Sequence, residues 1–258
     1  MKEIRNKAAG GRDGFACRIQ AGGLRNVKGA YMNTQIILNY LKDLSENNNR
    51  EWYHAHKTEY KEANAQFEAL IQELLLQIGK FDRSIRLREA KELTFKLVRD
   101  TRFSHDKSPY HPAFRAHMGP SGKLPVPVGY YLMIKPGGQS FLGGGLFADM
   151  FKDATSMVRA FIAENGEEWA KILHAPEFQK EFTVQGTALK NVPAGYDKEH
   201  PQAEFLKFKS WYLEYLIQDD LIADGERFLI EAVRLFRLMK PFNDFLNRAL
   251  ADFQMPAR

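Results

Sequence analysis

The sequence predicts a single α+β domain over about residues 32–258, with a central, mainly antiparallel sheet and helices from both chain ends packed on it. Apolar residues recur at helical spacing in the first part of the chain and again in the last part. Between these parts lie segments that alternate as strands do, without the regular exchange of strands and helices of an α/β protein. Neither an internal repeat nor a linker divides the sequence.

Helices are predicted toward both ends of the chain. Helical spacing marks segments at about residues 36–44, 50–79, 158–162, 169–173, 224–240 and 242–253. Gly79 is a typical residue to end the long second helix, and Asp224 is a typical N-cap. Because proline lacks a backbone donor, we expect Pro241 to separate the last two segments into two helices.

Strands are predicted in the middle of the chain and once near its end. Strand-like patterns mark segments at about residues 93–97, 113–118, 128–134, 140–147 and 210–218. A Pro-Gly-Gly turn at 136–138 predicts a hairpin between the third and fourth segments. Three glycines at 143–145 indicate close approach by another backbone, an aromatic ring or a ligand. Alternation puts Tyr130 and Tyr131 on opposite faces, so at most one of them faces a cleft.

The composition excludes several classes of protein. A chain of 258 residues can bury a substantial core, and no apolar run approaches the roughly 18 residues that a membrane span needs. The N-terminal residues include no apolar segment typical of a secretory signal. Cys17 is the only cysteine, which excludes an internal disulfide framework and a thiolate zinc cage. We therefore expect a cytoplasmic protein with no membrane partner, and the oligomeric state stays open.

Positive charge is concentrated in two places. Residues 1–31 hold seven Lys or Arg against two Asp or Glu, whereas the remaining residues balance at thirty of each. This first segment lacks sustained periodicity, so we expect it to be disordered or to precede a native start at Met32; an organellar targeting peptide is the alternative. Residues 83–115 hold nine basic and four acidic residues, a basic patch that concentrates anions on an otherwise acidic body.

The densest polar segment of the chain is RDTRFSHDKSPY, from Arg99 to Tyr110, which we call the RDTRF motif. Its ligand-binding candidates are Arg99, Asp100, Arg102, Ser104, Asp106 and Lys107. We expect Asp100 to support Arg102 and Asp106 to support Lys107. Because guanidinium and ammonium groups bind carboxylate and phosphate, the motif predicts an oxyanion site. The alternative is a structural network of ion pairs, which imitates an active site.

These residues resemble the signature of the domain of unknown function 2461 (DUF2461) family. The similarity extends to further segments, namely Asn48–Trp52, Gly129–Tyr131, Gly143–Gly145, Leu189–Lys190, Pro193, Gly195–Asp197 and His200–Pro201. The sequence departs from the family pattern at Lys96, where arginine is expected, and at His105 and His111, where lysine is more usual. The family has no established activity, so the resemblance implies no particular reaction.

A second group of polar residues lies in the Pro- and Gly-marked loop over 189–201. Lys190 is a further ligand-binding candidate, while Asp197 and His200 are candidates for a general base or for two metal ligands. The alternative is structural, with the His200 ring bonded to backbone. A metal site would need more ligands, with Asp106, His111 and His117 as candidates. No metal is predicted because no ligand spacing is recognised.

No cofactor is predicted either. The sequence includes no P-loop, no G-x-S-x-G nucleophile elbow and no dinucleotide fingerprint, since the glycines at 143–145 lie late in a strand. The leading hypothesis is that Arg99, Arg102 and Lys107 bind an anionic small molecule bearing phosphate or carboxylate. If that molecule is a substrate, the candidates for proton transfer are Tyr110, Asp197 and His200.

Two alternatives come from other functional classes. The first is a nucleic-acid-binding module in which Phe103, Tyr110 and Phe114 stack on bases, although the folded body has no net charge. The second is a structural or interaction domain without chemistry, in which the RDTRF motif only stabilises the fold. An enzyme further requires that the RDTRF motif and the 189–201 loop meet at one pocket.

Overall fold

The computed structural model describes residues 32–147 and 149–256. The predictions for residues 1–31, including a disordered or targeting segment and Cys17, lie outside the described residues. Within the described ranges, no helix is both long and apolar enough to cross a membrane.

The described part is one α+β domain, which confirms the predicted fold class. The helices are α1 (Thr34–Glu46), α2 (Arg50–Ala55), α3 (Lys57–Ile78), α4 (Ala90–Leu93), α5 (Lys152–Glu164), α6 (Gly166–Leu173), α7 (Pro176–Glu181), α8 (Ala203–Leu206), α9 (Asp219–Ala223) and α10 (Gly225–Ala249), with a 3₁₀ turn at Arg83–Ile85. The strands are β1 (Phe114–Met118), β2 (Tyr130–Ile134), β3 (Ser140–Leu146) and β4 (Trp211–Ile217). They form one antiparallel sheet in the order β1-β2-β3-β4.

One face of the sheet is covered by helices. On β2 the inward side chains of Tyr130, Leu132 and Ile134 are buried, as strand alternation predicts. Helix α10 packs on β3 and α3 packs on β1. A Cβ atom at Gly144 would lie 3.1 Å from Asn243 Oδ1 and 3.2 Å from Met239 Sδ of α10, so a glycine lets this helix approach the sheet closely.

Two predicted helix boundaries were wrong. The predicted helix over 50–79 is broken at His56. The His56 ring stacks on the Trp52 ring, and its Nδ1 lies 2.9 Å from Trp52 O. The His56 backbone N–H still donates to Trp52 O at 2.9 Å, so α2 closes its last turn there before α3 begins at Lys57. Pro241 lies inside the continuous helix α10. The apolar stripe stays in phase across it, with Met239 and Phe242 both fully buried, and this packing outweighs the missing backbone bond.

The segment predicted as a strand over 93–97 is not regular. Helix α4 ends at Leu93, and the following residues pair with the chain around β1 only through isolated bridges, at Thr94–Ala116 and Val98–Tyr110. The segment opposite includes two prolines, at 109 and 112, which lack the N–H groups that a continuous ladder needs. The remaining four strands lie within one or two residues of the predicted positions.

Candidate functional site

The RDTRF motif forms a loop whose two ends are held together. The Arg99 backbone N–H donates to Pro109 O at 2.9 Å. From the end of α1, the Asn48 amide donates to Tyr110 O at 2.9 Å and accepts from Tyr110 N at 3.1 Å. Since Asn48 satisfies both polar groups of the Tyr110 backbone, it joins the Asn48–Trp52 segment to the motif.

Inside the loop, two arginines pair with two aspartates. The Arg102 guanidinium donates to both carboxylate oxygens of Asp100, the shortest distance being 2.7 Å, which confirms that Asp100 supports Arg102. Asp106 pairs with Arg99 and not with Lys107, so that prediction was wrong. Lys107 Nζ instead donates to the Thr101 carbonyl at 3.1 Å. A motif treated as an extended segment gives no indication that the chain folds back to bring Asp106 to Arg99 and Lys107 to Thr101.

Hydrogen bonding keeps both aspartates ionised. Bonds from Ser108 and from the Arg99 guanidinium hold the pKa of Asp106 well below its usual range. The Arg102 side chain, together with the Arg102 backbone N–H, lowers the pKa of Asp100. Because both carboxylates are exposed, these pairs add little to the stability of the fold and mainly shape the loop.

The loop and the start of α2 enclose a pocket of about 360 Å³, which we call the motif pocket. Its cationic lining residues are Arg50, Arg99 and Lys107, and within the part of the chain that the structure describes no Asp or Glu lines it. Asn48 and Thr101 add polar groups to the lining. The arrangement therefore places three positive side chains, from two distant segments, around one cavity.

The other ligand-binding candidates of the motif lie outside this pocket. Asp100, Arg102, Ser104 and Asp106 do not line it. The Arg102 side chain is 77% exposed, and the Ser104 hydroxyl accepts from Arg99 at 3.3 Å. We did not identify Arg50 from the sequence, although it belongs to the Asn48–Trp52 segment of the family resemblance.

Tyr110 lines the motif pocket but is almost entirely buried. Its ring stacks on Tyr53 at a centroid distance of 4.1 Å. Burial raises the pKa of the Tyr110 hydroxyl, and the nearby Arg50 acts in the opposite direction. The group is consequently a neutral hydrogen-bonding partner at physiological pH.

The three rings suggested for base stacking do not form one exposed platform. Tyr110 and Phe114 are buried in the core, at 5% and 1% exposure. Only Phe103 is open, at 95% exposure, with the Arg102 guanidinium carbon 5.9 Å from its centroid. Two of the three stacking groups on which the nucleic-acid hypothesis depends are therefore not accessible to a base.

The second candidate group forms a backbone-anchored turn. Gln202 N donates to His200 Nδ1 at 2.9 Å, so the ring proton is on Nε2, which lies 3.1 Å from Ala163 O. The Asp197 carboxylate accepts from Glu199 N at 3.0 Å. Asp197 and His200 are joined only through their backbones, and both ring nitrogens of His200 already have partners. These contacts are the structural alternative that the sequence left open.

The two groups do not share a pocket. His200 lines a cavity formed with the α5–α6 junction, and no residue of the RDTRF motif lines that cavity. Lys190 is exposed and lines neither that cavity nor the motif pocket. Over residues 32–147 and 149–256, no group of three or more His, Cys, Asp or Glu side chains is arranged to hold a metal ion.

His117, considered above as a metal ligand, lies in β1 on the sheet face opposite α10. It is 8% exposed, and burial lowers its pKa to about 4, although hydrogen bonds to the backbone around Gly122 oppose the shift. The ring is therefore neutral at physiological pH. Burial likewise lowers the pKa of His111.

This burial predicts a loss of stability in acid. In the unfolded chain a histidine has a pKa of about 6.5, so between about pH 6.5 and 4 the unfolded state binds more protons at His117. Stability should fall as the pH drops through this window, by about 3 kcal/mol for a shift of this size. Urea unfolding of the wild type and of His117→Gln at several pH values measures this pH dependence of the free energy of unfolding. We expect a flatter pH profile for the variant, and parallel profiles would contradict the assignment.

Comparison with protein families shows which family the chain matches. The family model described as a conserved hypothetical protein (DUF2461) matches residues 36–245, which include most of α1, the RDTRF motif, the sheet and most of α10. Comparison with curated proteins gives no match, and comparison with solved structures gives none. Because the family model matches most of the chain, the protein belongs to the DUF2461 family of conserved hypothetical proteins.

Proposed function

We propose that the protein binds a small molecule bearing a phosphate or carboxylate group in the motif pocket. One observation is the basis of this proposal. Arg50 on one segment and Arg99 with Lys107 on another line the same cavity, and no carboxylate from residues 32–147 or 149–256 lines it. Cations from separate segments that meet around a pocket favour an anion as the ligand.

The ion pairs decide which cations are available to a ligand. Arg102 is paired with Asp100 outside the pocket, and Arg99 is partly neutralised by Asp106. Among the described residues, Arg50 and Lys107 form no ion pair. We infer that Arg50 and Lys107 provide most of the charge that attracts the anion, with Arg99 as a fixed donor.

The loop contacts support a rigid site. Asn48 fixes the Tyr110 backbone, and Asp106 fixes the guanidinium of Arg99. Side chains that are already held in place lose less conformational entropy when a ligand binds. Asp100 and Asp106 accordingly shape the loop and do not contact the ligand. The proton-transfer roles suggested for Asp197 and His200 are not part of the proposal, because neither residue lines the motif pocket.

A thermal-shift screen tests the proposal. Inorganic phosphate, citrate, a sugar phosphate and AMP are each added to the wild type, to Arg50→Ala and to Lys107→Ala. An anion present at about 100 times its Kd stabilises the protein that binds it by ~2.7 kcal/mol. This raises the melting temperature of a domain of this size by roughly 5–10 °C. We expect at least one anion to do so, and both substitutions to weaken its binding by about tenfold or more.

Arg102→Ala is the matched control, since it removes one positive charge from the RDTRF loop, as Lys107→Ala does, but not from the motif pocket. It should leave the affinity for the anion within about threefold of the wild type, as long-range effects of exposed charges are screened. The proposal fails if no anion stabilises the protein, or if Arg102→Ala weakens binding as much as Arg50→Ala. Much tighter binding of an oligonucleotide than of its mononucleotide would favour the nucleic-acid alternative.

A further inference from the structure

The sheet face opposite α10 holds a second, chemically different pocket. Four residues lie side by side across its four strands: His117 opposite Tyr131, Tyr131 opposite Gly143, and Gly143 opposite Glu214. Above this row is a cavity of about 310 Å³, which we call the sheet-face pocket. Its volume lies at the lower end of the range for small-molecule sites.

Aromatic rings form most of the wall of this pocket. The Tyr131 ring lies 5.5 Å from the Phe141 ring and 5.9 Å from the Phe147 ring, measured between centroids. A Cβ atom at Gly143 would lie 2.9 Å from Phe147 Cζ, so the glycine leaves room for this ring over the sheet. Phe95 closes another side, with its centroid 6.5 Å from that of Tyr131. Such a wall binds a planar, apolar body.

Among the described residues, Glu214 is the only acidic one that lines the sheet-face pocket. Its carboxylate forms no ion pair or side-chain hydrogen bond within the described residues. It is partly buried, and burial alone raises its pKa. A partly buried carboxylate without a protein partner is available to a cationic ligand.

The cations nearby do not neutralise this carboxylate. Lys123 also lines the sheet-face pocket, but its Nζ donates to Thr94 O at 3.0 Å and lies 5.8 Å from the Phe95 centroid. The Arg115 guanidinium lies over the same ring, 5.4 Å from the centroid. Both groups are therefore engaged with the Phe95 segment, beside β1, whereas Glu214 is on β4 at the opposite edge of the sheet.

We propose that the sheet-face pocket binds a small aromatic compound that bears a cationic nitrogen. The aromatic wall accepts the ring, and the nitrogen donates to the Glu214 carboxylate while its charge is attracted to the neighbouring ring faces. No residue lines both this pocket and the motif pocket. The inference thus does not depend on the proposed anion site, and each fails by its own experiment.

Three probes of matched shape test the charge preference. Tryptamine is cationic, tryptophol is neutral and indole-3-acetate is anionic, and all have the same indole ring. NMR titration of the full-length protein follows the backbone amides of Gly145, which lines the pocket, and of Gly143, which lies beneath the Phe147 ring. We expect tryptamine to bind about tenfold or more tightly than tryptophol, and indole-3-acetate to bind most weakly.

Substitutions separate binding from folding. Glu214→Gln should reduce the affinity for tryptamine to that for tryptophol, while the melting temperature of the ligand-free protein stays equal or rises because the buried charge is removed. Phe147→Leu should lower the affinity for all three probes by a similar factor, because it removes part of the aromatic wall that contacts the shared indole ring. Glu62→Gln removes an exposed charge on α3 and serves as the matched control, with unchanged affinities.

Three results would overturn the inference. The first is that Glu214→Gln keeps the preference for tryptamine. The second is that indole-3-acetate binds as tightly as tryptamine. The third is that none of the probes shifts the two glycine signals at about 5 mM, a concentration that fills a millimolar site.

Discussion

Gly129→Ala is expected to lower the free energy of unfolding by about 4 kcal/mol or more, a large part of the roughly 5–15 kcal/mol that stabilises an ordinary domain. Gly129 directly precedes β2, and its backbone packs against the chain at the end of β1. A Cβ atom there would overlap Met118 O and lie 2.6 Å from Gly119 Cα. Both are backbone atoms, so no side-chain rotation relieves the overlap and the β1–β2 pairing must shift. This explains the glycine in the Gly129–Tyr131 segment of the family resemblance.

Circular dichroism during thermal unfolding measures this effect. Gly166→Ala is the control, because the added methyl group there meets side chains and no backbone, namely Gln202 Cγ at 3.2 Å and His200 Cε1 at an ordinary contact distance of 3.4 Å. Gly166 is the first residue of α6, where alanine is better tolerated than in a sheet. We expect near wild-type melting for Gly166→Ala. A Gly129→Ala protein that melts within about 2 °C of the wild type would show that the backbones around Gly129 are not this close.

Arg159→Ala is expected to be the second most damaging change, with a loss of about 4 kcal/mol from two hydrogen bonds of a charged group. Arg159 on α5 is 8% exposed. Its Nε donates to Leu206 O at 2.7 Å and its Nη2 donates to Phe208 O at 2.8 Å. The substitution leaves these carbonyls without donors and opens a cavity beneath the segment that leads into β4.

Arg102→Ala provides the matched control for Arg159→Ala. Its guanidinium is exposed and contacts only loop residues, so the loss should stay below about 1 kcal/mol. Chemical denaturation of both variants gives the two free energies. Equal losses would mean that the buried contacts of Arg159 contribute no more than a surface ion pair, and the expected ranking of the two arginines would be wrong.

Local sequence patterns were sufficient for most of the fold. The β2–β3 hairpin follows from alternation on both sides of a Pro-Gly-Gly turn, and it needs no contact between distant residues. Alternation also correctly put Tyr130 and Tyr131 on opposite faces of β2, and the structure shows that Tyr130 is the one in the core and Tyr131 the one at the sheet-face pocket. Where packing competes with local preference the prediction failed: Pro241 was expected to end a helix, but buried neighbours on both sides keep α10 continuous.

The candidate sites were harder to predict because they join distant segments. The Asp100–Arg102 pair spans two residues and could be anticipated. The approach of Arg50 to Arg99 and Lys107 depends on the Asn48 contact with Tyr110, a separation of 62 residues. The sequence likewise gives no sign that Glu214 lies across the sheet from His117, since this requires the strand order.

The central claim, that Arg50 and Arg99 face a bound anion while Arg102 does not, is tested most directly by arginine side-chain NMR. The Nε–Hε signals of the three residues are followed while inorganic phosphate is added, and a parallel titration with sodium chloride at equal ionic strength is the control. We predict saturable phosphate-dependent shifts for Arg50 and Arg99, whereas Arg102 should move no further in phosphate than in sodium chloride. Shifts confined to Arg102, or none at any of the three, would contradict the claim.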